Sequence, residues 1–440
     1  MIRSAAACCW MLLSLAAATT SLAAATKCLA ADANRLAYLD GSDPFYVSRN
    51  FPKLVTPQWV GEDGVEAVIV LSIDDLKEDK PGEHEKWETF LRPVLERLKK
   101  IDGQAHLSIM TNRMDPRHPR LQSWLKEGLS LEVHTYDHPC PLLQGGDLAK
   151  AKATYDRCVD LMDAIPGNRA VAFRMPCCDS INSPSPRFYA EIFNRRTPSG
   201  NFLSIDSSVC NIITADDPQL PRELVLDDKG QEIFRKYLPF KSFVTTIEDY
   251  PYPYQIGGLC WEFPCVVPSD WSAQKLQKPD NPQTVADFKR AIDAAVVKQG
   301  VFTLIFHPHK WITSQQIVEL VDHAVAKHGK RIKFLNFREA QERLNKNLLG
   351  GQPLRAADGS DNGVRLVDLD ADGFQDVVIG NSHVRQTRLW SPKKSKWTVG
   401  PFPTSLVADG GARFGVLESS GYPTVIVRNE QTSAAWRFDG

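Results

Sequence analysis

"EAVIVLSIDDL", residues 66–76, is an apolar run rich in β-branched residues that ends in two adjacent carboxylates. Such a run, apolar on both alternating faces, reads as a strand buried on both sides, the kind found in parallel sheets. Asp74 and Asp75 then stand at its C-terminal end. From about residue 65 to 346 similar runs recur: "AHLSIM" (105–110), "SLEVHT" (130–135), "AVAFRM" (170–175), "FLSID" (202–206), "VFTLIF" (301–306) and "IKFLNF" (332–337). Between them lie stretches whose apolar residues repeat every three to four positions, such as "HEKWETFLRPVLERLKK" and "SQQIVELVDHAVAKHGK", the spacing of amphipathic helices. Strands alternating with helices make the class α/β and predict a distorted seven-stranded TIM-like (β/α) barrel over 35–346. A doubly wound open sheet is the other arrangement that fits. Residues 207–280 interrupt the pattern as an irregular insertion rich in proline and aromatic residues.

Chemistry-bearing residues collect at the C-terminal ends of four strands. Besides Asp74 and Asp75, His134 ends the third run with His138 just beyond, Arg174 ends the fourth, and His307, followed by His309, ends the sixth. In a barrel those ends meet on one face, where such folds place their sites. Asp75, His134 and His138 offer two imidazoles and a carboxylate, an open divalent-metal set. Singly, each has an ordinary structural reading, as a turn cap or a hydrogen-bonded histidine. Asp74 beside Asp75 needs a cation or a proton to relieve repulsion, which a metal on one side and Arg174 on the other would supply.

The pattern resembles the polysaccharide deacetylases, the NodB-like carbohydrate esterases. "SIDDL" is similar to their first motif, "HTYDH" to their second, "RMP" (174–176) to the Arg-x-Pro motif, and "LIFHPH" to the last strand ending in His. The resemblance covers about residues 66–345 and keeps the family's motif order. It implies that Asp75, His134 and His138 bind a divalent metal, usually Zn2+, that Asp74 is the general base oriented by Arg174, and that His307 is the general acid. An acetylated glycan is the implied substrate. Leu76 stands where the family has Gly, "RMPCCDS" lacks the usual Tyr-Gly, and the fourth motif falls either on Asp206 or on the pair Asp270 and Trp271. Among the insertion's aromatics, most are expected to pack the loop onto the barrel. Tyr136, Trp261, Trp271 and His309 are the candidate substrate contacts. Rival readings on the same residues are an O-acetyl esterase acting on a plant-type glycan, a small-amide C–N hydrolase, and a non-catalytic glycan-binding or adhesion protein, against which an intact base and acid count.

"GGQPLRAADGSDNG" (350–363) marks a change of texture, so 347–363 is expected to be a linker and 364–440 a small all-β appendage. There "DLDADGFQD" sets Asp368, Asp370, Asp372 and Asp376 at positions 1, 3, 5 and 9 of a Ca2+ loop, with the Phe374 carbonyl at position 7. With "VVIGN" after it, the stretch resembles an FG-GAP or integrin-like repeat. At the other end, Met1 to Ala25 has one early positive charge, an apolar run and small residues, the layout of a cleavable secretory signal. The chain is therefore expected to be secreted or periplasmic, without a membrane span. Cleavage would leave up to eight cysteines, some of them paired. The formal net charge of −1, with scattered lysines and arginines, argues against a nucleic-acid partner.

Overall fold

The computed structural model describes residues 54–178, 186–238, 246–401, 412–415, 422–428, 430 and 433–438. The expected signal at 1–25 lies outside them. The barrel portion carries β1 (Ala67–Lys77), β2 (Leu107–Arg113), β3 (Leu129–Val133), β4 (Ala172–Phe173), β5 (Ile205–Asp206), β6 (Cys210–Ile212), β7 (Thr246–Glu248), β8 (Tyr254–Ile256), β9 (Cys260–Glu262), β10 (Cys265–Val266), β11 (Val301–Phe306) and β12 (Ile332–Phe334). Its longer helices are α1 (Glu83–Asp102), α2 (Pro119–Glu127), α3 (Leu148–Ala164), α4 (Asp270–Leu276), α5 (Pro282–Val297), α6 (Ser314–His328) and α7 (Phe337–Arg343). None of the described helices is long and apolar enough to cross a membrane.

The strands form one mixed sheet, ordered β7-β6-β10-β11-β1-β2-β3-β4-β5-β9-β8 with β12 also against β1. It holds 12 strands where the sequence predicted seven. The difference comes from residues 207–280, which supply β6 to β10. Those strands are two or three residues long, too short to show a period in sequence.

β1 shows how the alternation works. Ala67, Ile69, Leu71 and Ile73 pack in the cluster under the helices, with Leu91, Leu95 and Leu98 of α1 and Ile317 and Leu320 of α6. Val68 and Val70 face the other way, into a second cluster with Met110, Ile205, Trp261 and Phe263. With a period of two, Ser72 and Asp74 continue that inner row. The strand's hydrophobic register therefore aims Asp74 inward.

β4 and β5 each span only two residues, and buried carboxylates take up backbone groups beside them. Glu132 Oε2 accepts from the N–H groups of Val171 and Ala172, both at 2.8 Å. Glu262 Oε1 accepts from Ser208 N at 3.0 Å and Val209 N at 2.9 Å. Burial pushes Glu132 up to about 7 and Asp206 up to about 6. These acids do for the chain what a longer ladder would do elsewhere.

Beyond the barrel lie two antiparallel sheets, β13 (Val364–Val367), β14 (Asp376–Gly380), β15 (Arg385–Ser391) and β16 (Lys396–Gly400), then β17 (Ala412–Gly415), β18 (Thr424–Arg428) and β19 (Ser433–Arg437). The first is packed on the barrel: Val364, Leu366, Val377 and Ile379 share the inner cluster with Val68, Val70 and Trp59. The stretch expected as a linker is part of the same contact, since Leu349 and Leu354 join that cluster. Arg355 is buried, with Nη1 donating to Asn194 Oδ1 at 2.5 Å.

Because Leu71 is 1% exposed at the centre of the sheet, Leu71→Ala is expected to cost about 2–5 kcal/mol. A urea titration would show this as a lower midpoint with an unchanged slope.

Candidate active site

The site is built where β1, β3, β4 and β11 end. Between Ile73 and Leu76 the pairing of β1 with β2 slips register, and Asp75 adopts a left-handed φ of 73°. This irregularity parts the two neighbouring carboxylates. Asp74, 3% exposed, receives Arg174 Nη1 on Oδ1 at 2.6 Å. Arg174 is itself fully buried, and it also donates from Nε to Ser207 O at 2.9 Å and from Nη2 to Ser207 Oγ at 3.0 Å.

Asp75 turns to the histidines. His134 and His138 bring Nε2 to 3.5 and 3.0 Å from Asp75 Oδ1, yet that buried oxygen accepts no well-directed hydrogen bond. The His134 tautomer explains part of this. Its Nδ1 donates to Arg174 O at 2.8 Å, which leaves Nε2 as a lone pair, the form a metal ligand takes. Left-handed φ values at Thr135 (58°) and His138 (52°) bend the loop so that the second imidazole joins the first, and Asn112 Nδ2 ties down the carbonyls of His134 and Thr135 at 2.8 and 2.9 Å. One carboxylate oxygen and two imidazole nitrogens converging within 4.8 Å of one another fit a divalent cation.

On its other side Asp75 Oδ2 accepts from His309 Nε2 at 3.0 Å and lies 3.9 Å from His307 Nε2. Burial opposes ionisation of Asp75, but the imidazoles of His138, His309 and His307 outweigh it and hold its carboxyl well below the usual range. His307 is fixed by Asp270, whose Oδ1 accepts from Nδ1 at 2.8 Å and whose Oδ2 accepts from the His307 N–H at 2.7 Å. Burial works against the charged ring, yet Asp270, with help from Asp75 and Asp74, pushes His307 up to about 9. The Asp270 carboxylate thus favours the charged form of the ring.

A cavity of about 370 Å³ opens over these groups, lined also by Trp271 and Trp311. The structure therefore brings together Asp74, Asp75, His134, His138, Arg174 and His307. It sets His309 against Asp75 and Trp271 on the cavity wall. Two expected substrate contacts are placed elsewhere. Trp261 is fully buried in the inner cluster on β9, because its segment is a core strand and not an exposed loop. Tyr136 is half-buried off the cavity wall, its ring covered by the Arg157 guanidinium at 3.7 Å.

Asp270 is the residue that sequence left undecided. It precedes Trp271 at the start of α4, behind a Ser269–Ser272 capping box, while the alternative, Asp206, accepts from Tyr189 and Ser208. A disulfide, Cys140–Cys177, ties the loop after His138 to the loop after Arg174.

Far from this centre, Asp368, Asp370 and Asp376 bring carboxylate oxygens within 4.8 Å of one another. Asp372 Oδ1 instead accepts from Phe374 N at 2.9 Å, and Phe374 forms a bridge with Val55. Burial, with Asp370 and Asp368 nearby, pushes Asp376 up to about 7. Hard oxygens gathered this closely suit a hard cation, with a smaller carboxylate set than the sequence spacing predicted.

No curated protein matches the chain. Among solved structures, a putative polysaccharide deacetylase from Mycobacterium smegmatis is 15% identical over 67% of this chain and 94% of its own, with a TM-score of 0.43. Puue allantoinase is 12% identical over 69% of this chain and 97% of its own, with a TM-score of 0.41. The peptidoglycan deacetylase PdaC from Bacillus subtilis is 15% identical over 66% and 99%, with a TM-score of 0.31. Residues 61–184, the segment that holds Asp74, Asp75, His134, His138 and Arg174, match the family model described as polysaccharide deacetylase.

Proposed function

We propose that the protein is a metal-dependent hydrolase that removes acetyl groups from the N-acetylated sugars of a polysaccharide or peptidoglycan. The observation that carries the reading is the pairing of a clamped carboxylate, Asp74 on Arg174, with an imidazolium, His307 on Asp270, across one set of metal-ligating side chains. A binding protein needs neither member of that pair.

Asp75, His134 and His138 would hold the cation, with Zn2+ suited to the mixed nitrogen and oxygen donors. When bound, the cation polarises the scissile carbonyl and acidifies water. The chain's own residues do the rest. Asp74, held by the hydrogen bond from Arg174, takes the proton from the attacking water. His307 delivers a proton to the departing amine, and Asp270 keeps it charged until then. The buried Arg174 carbonyl sets the His134 tautomer. The early apolar segment implies export, and the Asp368–Asp376 loop is a Ca2+ site in this reading.

Elemental analysis of purified protein is expected to find one divalent transition metal per chain at this centre, lost in Asp75→Asn. Wild type without it would defeat the mechanism. Asp74→Asn is expected to keep the metal while kcat for acetate release from chitooligosaccharides or peptidoglycan falls by about 10²–10⁴. Surviving turnover would remove Asp74 as the base. Acetate from acetylated xylan alone would favour the O-acetyl esterase.

The pH profile follows from His307. Its pKa in the folded chain, about 9, lies above the ordinary 6.5, so the charged acid is present at neutral pH and lost as pH rises. Activity is expected to fall on the alkaline side, and Asp270→Asn should move that limb to lower pH, as read from kcat/KM against pH.

A further inference from the structure

Four cysteines line the cavity: Cys140, Cys177, Cys178 and Cys210. Cys140 and Cys177 form the disulfide that joins the loop after β3 to the loop after β4, a bond that belongs to a chain matured where thiols are oxidised. Cys177 and Cys178 both take left-handed φ values, 60° and 50°, and their sulfurs go to different partners. Cys177 meets Cys140, whereas the Cys178 thiol is in hydrogen-bonding contact with the sulfurs of Cys210 and Cys265. Cys210 and Cys265 stand opposite each other in the parallel pairing of β6 with β10, so both side chains leave the sheet on the same face. Three thiols therefore meet beside the cavity.

They differ in access. Cys265 is fully buried, and its thiol donates to Ser207 O at 3.0 Å. Cys178 and Cys210 are half-buried and reach the cavity. Among the described residues the other free cysteines, Cys158 and Cys260, are fully buried. Thiol–disulfide exchange needs a sulfur that an oxidant can approach, which singles out Cys178 and Cys210.

We propose that Cys178 and Cys210 form a second disulfide in the mature protein, so that two adjacent bridges fasten the loop after β3, the loop after β4 and the start of β6 around the cavity. The oxidant is a small-molecule disulfide such as oxidised glutathione. Contact with Cys210 favours the protonated form of Cys178, so the Cys210 sulfur attacks first. It loses its proton and bonds to one glutathione sulfur, the S–S bond of the oxidant breaks, and a glutathione thiolate departs. Cys178 then gives up its proton and displaces the second glutathione. Two protein thiols lose two electrons, and the oxidant is reduced to two thiols. The segment just after Arg174 is then held covalently at two successive residues.

The test is peptide mapping of the protein purified without reductant, equilibrated with oxidised glutathione, blocked with N-ethylmaleimide in denaturant and cut with trypsin. Because Cys177 and Cys178 share the peptide 175–187, the expected product is one three-chain species of 127–150, 175–187 and 197–222. Recovery of 197–222 with Cys210 blocked or still carrying glutathione would overturn the proposal, as would 242–275, which holds Cys265, in its place. In Cys178→Ser, 127–150 is expected to stay linked to 175–187 while 197–222 is released; the converse would mean crossed pairing and counts against it. Cys210→Ser should keep the same link, and a folding defect in either variant leaves the wild-type map decisive. Under the same oxidising conditions each variant is expected to melt several degrees below wild type, and the double variant no lower than either. Falls that add would show two unbridged thiols.

Discussion

The centre depends on one buried ion pair, Arg174 with Asp74 at 2.6 Å. Arg174 reaches three parts of the sheet from a single residue. Its guanidinium holds Asp74 at the end of β1 and Ser207 just past β5, and its carbonyl takes the Nδ1–H of His134 just past β3. Both charges are out of water, so either one left alone would cost on the order of 3–5 kcal/mol. The guanidinium fixes where the Asp74 carboxylate stands, and the carbonyl of the same residue fixes the tautomer of His134. The positions of both side chains thus depend on one residue.

The backbone supplies a second constraint. Asp75, Thr135, His138, Cys177 and Cys178 all take left-handed φ values between 50° and 73°, unusual for residues with side chains. Such conformations persist where surrounding contacts over-determine them, and they gather at functional sites. Here the result is a division of labour between adjacent carboxylates. Asp74 follows the inward row of β1, while the kink sends Asp75 to four imidazoles.

Much of this was legible in the sequence, for a physical reason. β1, β2, β3 and β11 are long enough to show an apolar run, so Asp74, Asp75, His134 and His307 could be placed at strand ends from the sequence; Arg174 follows the two-residue β4 and was placed by the apolar run 170–175 around it. The insertion was not legible. Its two- and three-residue strands owe their place to pairing, parallel except between β8 and β9, and to buried acids such as Glu262, which leave no periodic trace. That is why Trp261 read as a loop aromatic and why Asp270 could not be told from Asp206 as the fourth motif. Composition also misled at 350–363, where Gly, Pro and Asp suggested a tether although Leu354 and Arg355 are buried.

That last segment bears on how the molecule comes apart. Val364, Leu366, Val377 and Ile379 lie in one apolar cluster with the inner row of β1, and Val55 N donates to Gly373 O at 2.9 Å while Gln375 N donates to Val55 O at 3.0 Å. Elements that share a core lose it together, so the main sheet and the first antiparallel sheet belong to one cooperative unit. A chain shortened at the glycine-rich stretch would strip apolar cover from the cluster that holds Val68 and Val70, and the row that aims Asp74 would lose its backing.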